Sequence, residues 1–285
     1  MRVWVTGSGG QVGQVLLKAL KKKGFDCFGT SHAETDIADE PAVRARMKEA
    51  THVVNTAAYC EVDPAETHRE KAFRTNVLGP AILAKVSREM GAHLLHISTD
   101  YVFDGTLQRP YVEEDKTHPL NWYGETKREG ELKIAEANPK ACTVRVSWVF
   151  GGAGERNYAP RILHELQVKK ELRFVDDQMS CPTYAIDLAD ALIVLLGRSG
   201  MYHYCNEGWV SKYGFAMAIW ERAKKKHFPL VCERIVPIAS SEFPSLAKRP
   251  LFTPLNTQKI KALLPIRSWQ EALDDYFSHL KPSFL

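Results

Sequence analysis

The sequence predicts an α/β protein: an open, doubly wound parallel sheet with a smaller α/β domain interleaved on its C-terminal side. Three observations predict it. A glycine turn joins a short apolar strand to an amphipathic helix at the N-terminus. Strand-like and helix-like segments then alternate to about residue 150, the pattern that feeds a parallel sheet. Beyond that point the pattern is less regular, yet it still holds a strongly apolar helix and a further strand. A chain of 285 residues can bury a sizeable core as one large domain or two smaller ones. The expected division is residues 1–150 for the first domain, with segments near 184–206 returning to it, and residues 151–285 mainly for the second.

Arg2-Val-Trp-Val-Thr6 reads as a short buried strand, followed at once by Gly7-Ser-Gly-Gly-Gln-Val-Gly13. Val12, Val15, Leu16, Ala19 and Leu20 then recur at helical spacing, and Gly24 is placed to cap the end. In this strand-turn-helix context Gly7 permits a tight turn, Gly10 lets backbone approach a pyrophosphate, and Gly13 lets helix and strand pack closely. Free N–H groups at the helix start attract phosphates. The first domain is therefore expected to be of the Rossmann type and to hold a dinucleotide. A second strand near Asp26–Gly29 leads into Thr30-Ser31-His32, with no carboxylate where NAD-preferring proteins place one. That leans toward NADPH, with NADH as the alternative; His32 reads equally as a solvated loop residue. Asp36 is expected at the adenine edge, or Asp39 caps the next helix.

His52–Asn55 reads as the third strand, and the small residues of Thr56-Ala57-Ala58-Tyr59 let a ligand lie close to the backbone. A long helical stretch from about Asp63 to Met90 carries Asn76 in its middle, either exposed or tying neighbouring segments together. The fourth strand, Ala92–Ser98, delivers Thr99, Asp100 and Tyr101 to the carboxyl end of the sheet, where ligands meet this fold. Thr99 is placed to offer a hydroxyl to a substrate carbonyl. On the next helix Tyr123 and Lys127 lie one turn apart on one face. A lone phenol titrates near about 10, and a neighbouring ammonium favours the phenolate. The pair can therefore serve acid/base chemistry. A fifth strand, Cys142–Ser147, ends at Trp148. In the second half a helix is expected over Arg161–Lys169, a polar segment over Phe174–Thr183, a helix over Ile186–Leu196, a strand at Gly200–Tyr204, a helix capped by Ser211 and a terminal helix from Trp269.

Composition narrows the function classes. The chain is 45% hydrophobic and 25% charged with a formal net charge of +4, ordinary for a soluble globular protein. The lysine runs at 21–23 and 224–226 close helices, where cations complement the dipole, and no aromatic-basic interleaving points to nucleic acid. Cys27, Cys60, Cys142, Cys181, Cys205 and Cys232 match no metal spacing. No signal peptide and no apolar run long enough to span a bilayer are read, so a cytoplasmic protein without membrane contact is expected.

These residues together resemble the extended short-chain dehydrogenase/reductase superfamily and, within it, the dTDP-4-dehydrorhamnose reductases. The resemblance rests on Gly10-Gln11-Val12-Gly13, Asp36-Ile37, the Ala-Ala-Tyr core between Asn55 and Asp63, and Ser98-Thr-Asp-Tyr-Val-Phe-Asp-Gly105. It continues through Tyr111 to Asp115, Pro119 to Gly124, Lys127 to Glu131, Arg145 to Phe150, Asp177-Gln178, Pro182-Thr183 and Arg249-Pro250. It implies reduction by NADPH or NADH of the C4 keto group of dTDP-4-dehydro-6-deoxy-L-mannose to dTDP-L-rhamnose. Tyr123 would be the proton donor, Lys127 would lower the tyrosine pKa and bind the nicotinamide ribose, and Thr99 would orient the carbonyl. Cofactor contacts are implied for Gly7, Gly10, Gln11, Val12, Gly13, Asp36, Ile37, Ala57, Ala58, Tyr59, Asn76, Tyr123 and Lys127. Substrate contacts are implied for Thr99, Asp100, Tyr101, Trp148, Asn157, Gln178 and Arg249, the last toward the diphosphate. Relatives often form homodimers, sometimes with magnesium, although no spacing here specifies a metal site. The chain departs from the family at Ser180, where glycine is usual, at Asn256, where aspartate is frequent, and at His32, where arginine often stands. Two alternatives accompany this reading: another nucleotide-sugar reductase or epimerase, and a non-catalytic nucleotide-binding regulatory subunit.

Overall fold

The computed structural model describes residues 1–152 and 158–282. The first half alternates as expected: β1 (Arg2–Thr6), α1 (Gln11–Lys22), β2 (Asp26–Thr30), α2 (Glu40–Met47) and β3 (His52–Asn55). Next come α3 (Val62–Ala65), α4 (Arg69–Phe73), a π-turn (Arg74–Leu78) and α5 (Gly79–Glu89). The half closes with β4 (His93–Thr99), α6 (Trp122–Ala137) and β5 (Cys142–Val146). The second half contributes β6 (Val149–Phe150), α7 (Tyr158–Val168), β7 (Glu171–Val175), β8 (Met179–Ser180), β9 (Thr183–Tyr184), α8 (Ala185–Leu195) and β10 (Gly200–Tyr204). It ends with β11 (Val210–Ser211), α9 (Lys212–Lys225), β12 (Arg234–Ile238), α10 (Gln258–Lys261) and α11 (Trp269–Ser278).

Six strands form one parallel sheet in the order β10-β5-β4-β3-β1-β2. Both faces are covered, so the strands read as apolar runs. Val3, Val5, Leu95 and Val144 pack on one face with α1 and with Leu188, Leu192 and Leu195 of α8. Trp4, Val53 and Leu94 pack on the other with Val43, Met47, Leu83 and Ile134. A second core gathers Phe150, Ile162, Leu166, Phe215, Ile219, Trp269 and Phe277 from the later part of the chain. No helix among the described residues is long and apolar enough to cross a membrane.

Two expectations are corrected. The single helix over 63–90 is broken, and Pro80 supplies a reason. Proline has no N–H to give the carbonyl four residues back, which is that of Asn76, and its ring would clash there. The backbone widens into the π-turn before α5, and the Asn76 carbonyl lies against α6, where a Cβ at Gly130 would come within 2.2 Å of it. The polar segment 174–183 also holds strand structure. β7 pairs in parallel with β12, β8 antiparallel with β11, and β6 with β9. These two-residue and long-range pairings carry no local periodicity.

Candidate active site

A cavity of about 740 Å³ opens at the carboxyl ends of β1, β3, β4 and β5. Its floor is the glycine turn. Gly7 has φ of +61°, and a Cβ there would lie 2.7 Å from the Ala57 Cα. A Cβ on Gly13 would lie 2.6 Å from the Gly7 carbonyl oxygen. Gly10 precedes α1 and offers no capping side chain, which leaves first-turn N–H groups facing the cavity as an anion site. Gln11 donates from its amide to the Gly151 carbonyl at 2.7 Å and so ties α1 to the segment after β6. Val12, Ile37, Ala57, Ala58 and Tyr59 also line this space. Two buried hydroxyls on its wall, Thr35 and Ser98, have no hydrogen-bond partner among the described residues. Buried hydroxyls are normally paired, so these two fit a polar ligand in this cradle. Asp36 lines the same cavity, accepts from the Ala38 N–H and pairs with Arg74 at 2.7 Å. Asp39 caps α2 through the Ala42 N–H.

Asn76 does not line the cavity. It is 1% exposed, accepts from the Tyr59 N–H at 2.9 Å, and donates to the Tyr59 carbonyl and to the Thr126 hydroxyl at 3.1 Å each. It positions the Tyr59 backbone against α6.

Tyr123 and Lys127 stand on the first turns of α6, which Asn121 caps by accepting from the Gly124 N–H at 2.8 Å. Gly124 lets that turn press on Tyr101, since a Cβ there would lie 2.2 Å from the Tyr101 carbonyl oxygen. The Tyr101 and Tyr123 rings meet edge to face at 5.9 Å. Lys127 is 2% exposed, donates to the Ile97 carbonyl at 2.7 Å and lies 3.3 Å from His96 Nε2. The tautomer of His96 follows from its neighbours. Asn55 Oδ1 accepts from the Ala57 N–H and the Thr6 hydroxyl, so Asn55 Nδ2 donates to His96 Nδ1 at 2.9 Å. The ring proton then sits on Nε2, facing Lys127 Nζ, an arrangement that favours the neutral amine. Burial acts in the same direction and pushes Lys127 down to about 8. Burial pushes the Tyr123 phenol well above its ordinary value, the Cys60 sulfur adds to this, and the Thr99 hydroxyl opposes it. In this structure Lys127 Nζ is turned toward Ile97 and His96.

Thr99 ends β4, lines the cavity and donates to Asp100 Oδ1 at 3.1 Å. Asp100 is 2% exposed and also accepts from the Ser180 and Thr253 hydroxyls at 3.0 and 2.6 Å. It does not line this cavity; it is the buried knot joining β4, β8 and the segment that carries Thr253. Burial lifts its carboxyl to about 6 against the pull of the three hydroxyls. Ser180, one of the departures from the family, earns its hydroxyl here.

A second cavity of about 760 Å³ lies in the later part of the chain. Gln178 lines it, is 7% exposed, donates to the Ser240 hydroxyl and accepts from Lys212 Nζ at 2.6 Å. Burial, with Arg249 and Arg161 nearby, pushes Lys212 down to about 8. Arg249 lines the cavity too, but its guanidinium binds both oxygens of Asp63, at 3.1 and 2.7 Å. That bond holds the Asp63 carboxyl well below the usual range. Trp148 stands between the cavities: it lines the first, and its ring lies 5.9 Å from Lys212 Nζ and 6.3 Å from Tyr158, both on the wall of the second. Its φ of +37° is unusual for a bulky residue and holds the ring in this partition. Asn157 lies outside the described residues. Sequence reasoning missed Lys212 and Arg161, which are single cations without any motif. Among the described residues no group of three or more His, Cys, Asp or Glu side chains is arranged to hold a metal ion.

The family model for the RmlD substrate binding domain matches residues 1–281. The chain is 34% identical over 281 residues to a dTDP-4-dehydrorhamnose reductase of Mycobacterium tuberculosis, covering 95% of this chain and 91% of that one. It is 37% identical over 279 residues to the spore coat polysaccharide biosynthesis protein SpsK of Bacillus subtilis, covering 96% of each. The crystal structure of dTDP-4-dehydrorhamnose reductase from Bacillus anthracis in complex with NADP superposes with a TM-score of 0.92 at 31% identity, covering 98% of this chain and 99% of that one.

Proposed function

The chain belongs to the dTDP-4-dehydrorhamnose reductase family, and we propose that its two cavities together reduce the C4 keto group of dTDP-4-dehydro-6-deoxy-L-mannose to dTDP-L-rhamnose. The observation that carries this reading is that Thr99, Tyr123 and Lys127 share one cavity with the glycine turn, while Trp148 stands between that cavity and a cation-lined one. A reduced nicotinamide nucleotide, when bound, supplies the hydride. NADPH is the proposed form, supported by the NADP complex of the Bacillus anthracis relative, with NADH as second choice.

The residues then have the following proposed roles. Gly7, Gly10 and Gly13 cradle the pyrophosphate, with α1 presenting its first N–H groups. Tyr123 holds the proton that passes from its hydroxyl to the carbonyl oxygen. The high phenol pKa keeps that proton in place until charge develops on the oxygen. Thr99 orients the carbonyl, and the buried Asp100 fixes the Thr99 rotamer rather than touching the sugar. Lys127 binds the ribose hydroxyls and, once protonated, assists the tyrosine. Lys212, Arg161 and Gln178 hold the diphosphate end, and Arg249 joins them by exchanging its bond to Asp63. Pairing of β10 with β5 supports assigning residues 1–150 with 184–206 to dinucleotide binding and most of 151–285 to the sugar nucleotide. Six free cysteines and the lack of a membrane-crossing helix among the described residues support work in the cytoplasm.

The test is to mix the purified chain with NADPH and the keto-sugar and follow the absorbance of the reduced nicotinamide. Consumption of both, with dTDP-L-rhamnose as product, is expected. No turnover alongside an active relative would overturn the reading.

A further inference from the structure

The carboxyl end of β2 lies beside the glycine turn, because the Ser8 N–H donates to the Thr30 carbonyl at 3.1 Å. In this fold the adenosine ribose of a dinucleotide lies across this point. Residues 29–32 carry no carboxylate, yet folding supplies one. The turn at residues 31–35, closed by the Thr35 N–H on the Ser31 carbonyl at 3.0 Å, brings Glu34 back over the strand end. One oxygen of Glu34 accepts from both the Ser31 N–H and the Ser31 hydroxyl, each at 2.7 Å. These two donors hold the Glu34 carboxyl below its ordinary range. Ser31 and His32 line the first cavity. Two nearby arginines are engaged elsewhere, Arg74 with Asp36 at 2.7 Å and Arg46 with Glu49 at 3.4 Å, while Lys71 lines the same cavity with its Nζ 5.8 Å from the Tyr59 ring.

We propose that Glu34 is the residue that selects between NADH and NADPH, by occupying as an internal anion the two Ser31 donors that a ribose 2′-phosphate would use. A free 2′-hydroxyl can donate to this carboxylate. A 2′-phosphate meets it as a like charge and must displace it from Ser31. Glu34 therefore holds down the advantage of NADPH: removing its charge removes the repulsion, and removing the side chain also frees both Ser31 donors for the phosphate. The inference rests on the reading of the first cavity as the dinucleotide site. Glu34 is exposed and outside the proposed catalytic set, so its replacement leaves the cores intact.

The experiment measures dissociation constants by calorimetry for NADPH, NADH, 2′,5′-ADP and 5′-AMP on the unaltered chain, Glu34→Gln and Glu34→Ala. Loss of one like charge at contact distance across water corresponds to about five- to tenfold in affinity. Both variants are expected to bind NADPH and 2′,5′-ADP tighter by about that factor, with NADH and 5′-AMP unchanged or weaker, and the gain should shrink as salt is added. An NADPH-to-NADH ratio within about twofold of the unaltered chain in both variants would overturn the role of Glu34 alone. Binding of neither dinucleotide by the unaltered chain would overturn it together with the cofactor reading.

Discussion

The first cavity is walled largely by backbone and small residues between positions 7 and 149, whereas the second is assembled from long side chains at positions such as 161, 178, 212 and 249. In the first, shape comes from what is missing: a Cβ at Gly7 or Gly13 would collide with neighbouring backbone. In the second, shape comes from polar and charged side chains holding one another, as Asp63 does Arg249 and the Gln178 amide does Lys212. A backbone cradle recognises any dinucleotide through phosphates and N–H groups. A side-chain cradle can be retuned residue by residue, which suits the substrate end of an enzyme whose chemistry is shared with many relatives.

The largest expected effect lies on the reacting group of the first cavity. Tyr123→Phe should lower kcat by about 10²- to 10⁴-fold, the usual worth of a positioned proton donor, while dinucleotide affinity by fluorescence titration stays within about threefold. A variant retaining more than a tenth of the activity would place the proton donor elsewhere. Gly7→Ala tests the backbone cradle itself. Its Cβ would strain a left-handed turn and press on Ala57, costing about 1–3 kcal/mol, read as weaker dinucleotide binding and an earlier urea midpoint. dTDP binding in the second cavity should be unaffected, and a loss there would mean that the two cavities are not built independently. Lys212→Met probes the opposite case: removal of one charge-assisted contact, worth about 1–2 kcal/mol, should raise KM for the sugar nucleotide about tenfold with kcat and dinucleotide affinity little changed.

The smallest effect concerns the knot behind the first cavity. The Asp100 carboxyl is raised to about 6 in the folded chain, against about 3.9 in an unfolded one. The folded state then binds more protons than the unfolded state around and between these values, so stability falls as pH rises through that window, and the loss is complete about one unit above the folded value, near pH 7. Between pH 5 and pH 7 the loss is about 1 kcal/mol. Asp100→Asn should remove this slope from urea unfolding curves, and an unchanged slope would show that Asp100 is not its source.

What was legible follows the range of the interactions. Gly7, Gly10, Gly13, Thr99, Tyr123 and Lys127 act through spacings of a few residues, and all meet in the first cavity. Asp100, Asn76 and Arg249 have partners that no local pattern announces: Thr253, Tyr59 and Asp63 lie 153, 17 and 186 residues away. Glu34 had a local signal, since Ser31-x-x-Glu34 has the spacing of a turn closed by its own carboxylate, but only the fold shows that this turn stands beside the glycine turn.

By itself the sequence determined the parallel sheet, the phosphate turn and the Tyr-Lys pair, because helix and strand periods and glycine geometry are local properties of the chain. The tertiary structure alone decided which cations line the second cavity, that Asp100 is buried against the hydroxyls of Thr99, Ser180 and Thr253, and that Lys127 is turned toward Ile97 and His96. Each of those depends on burial and on partners brought together from distant segments, and neither burial nor a long-range partner is written in any residue's immediate neighbours.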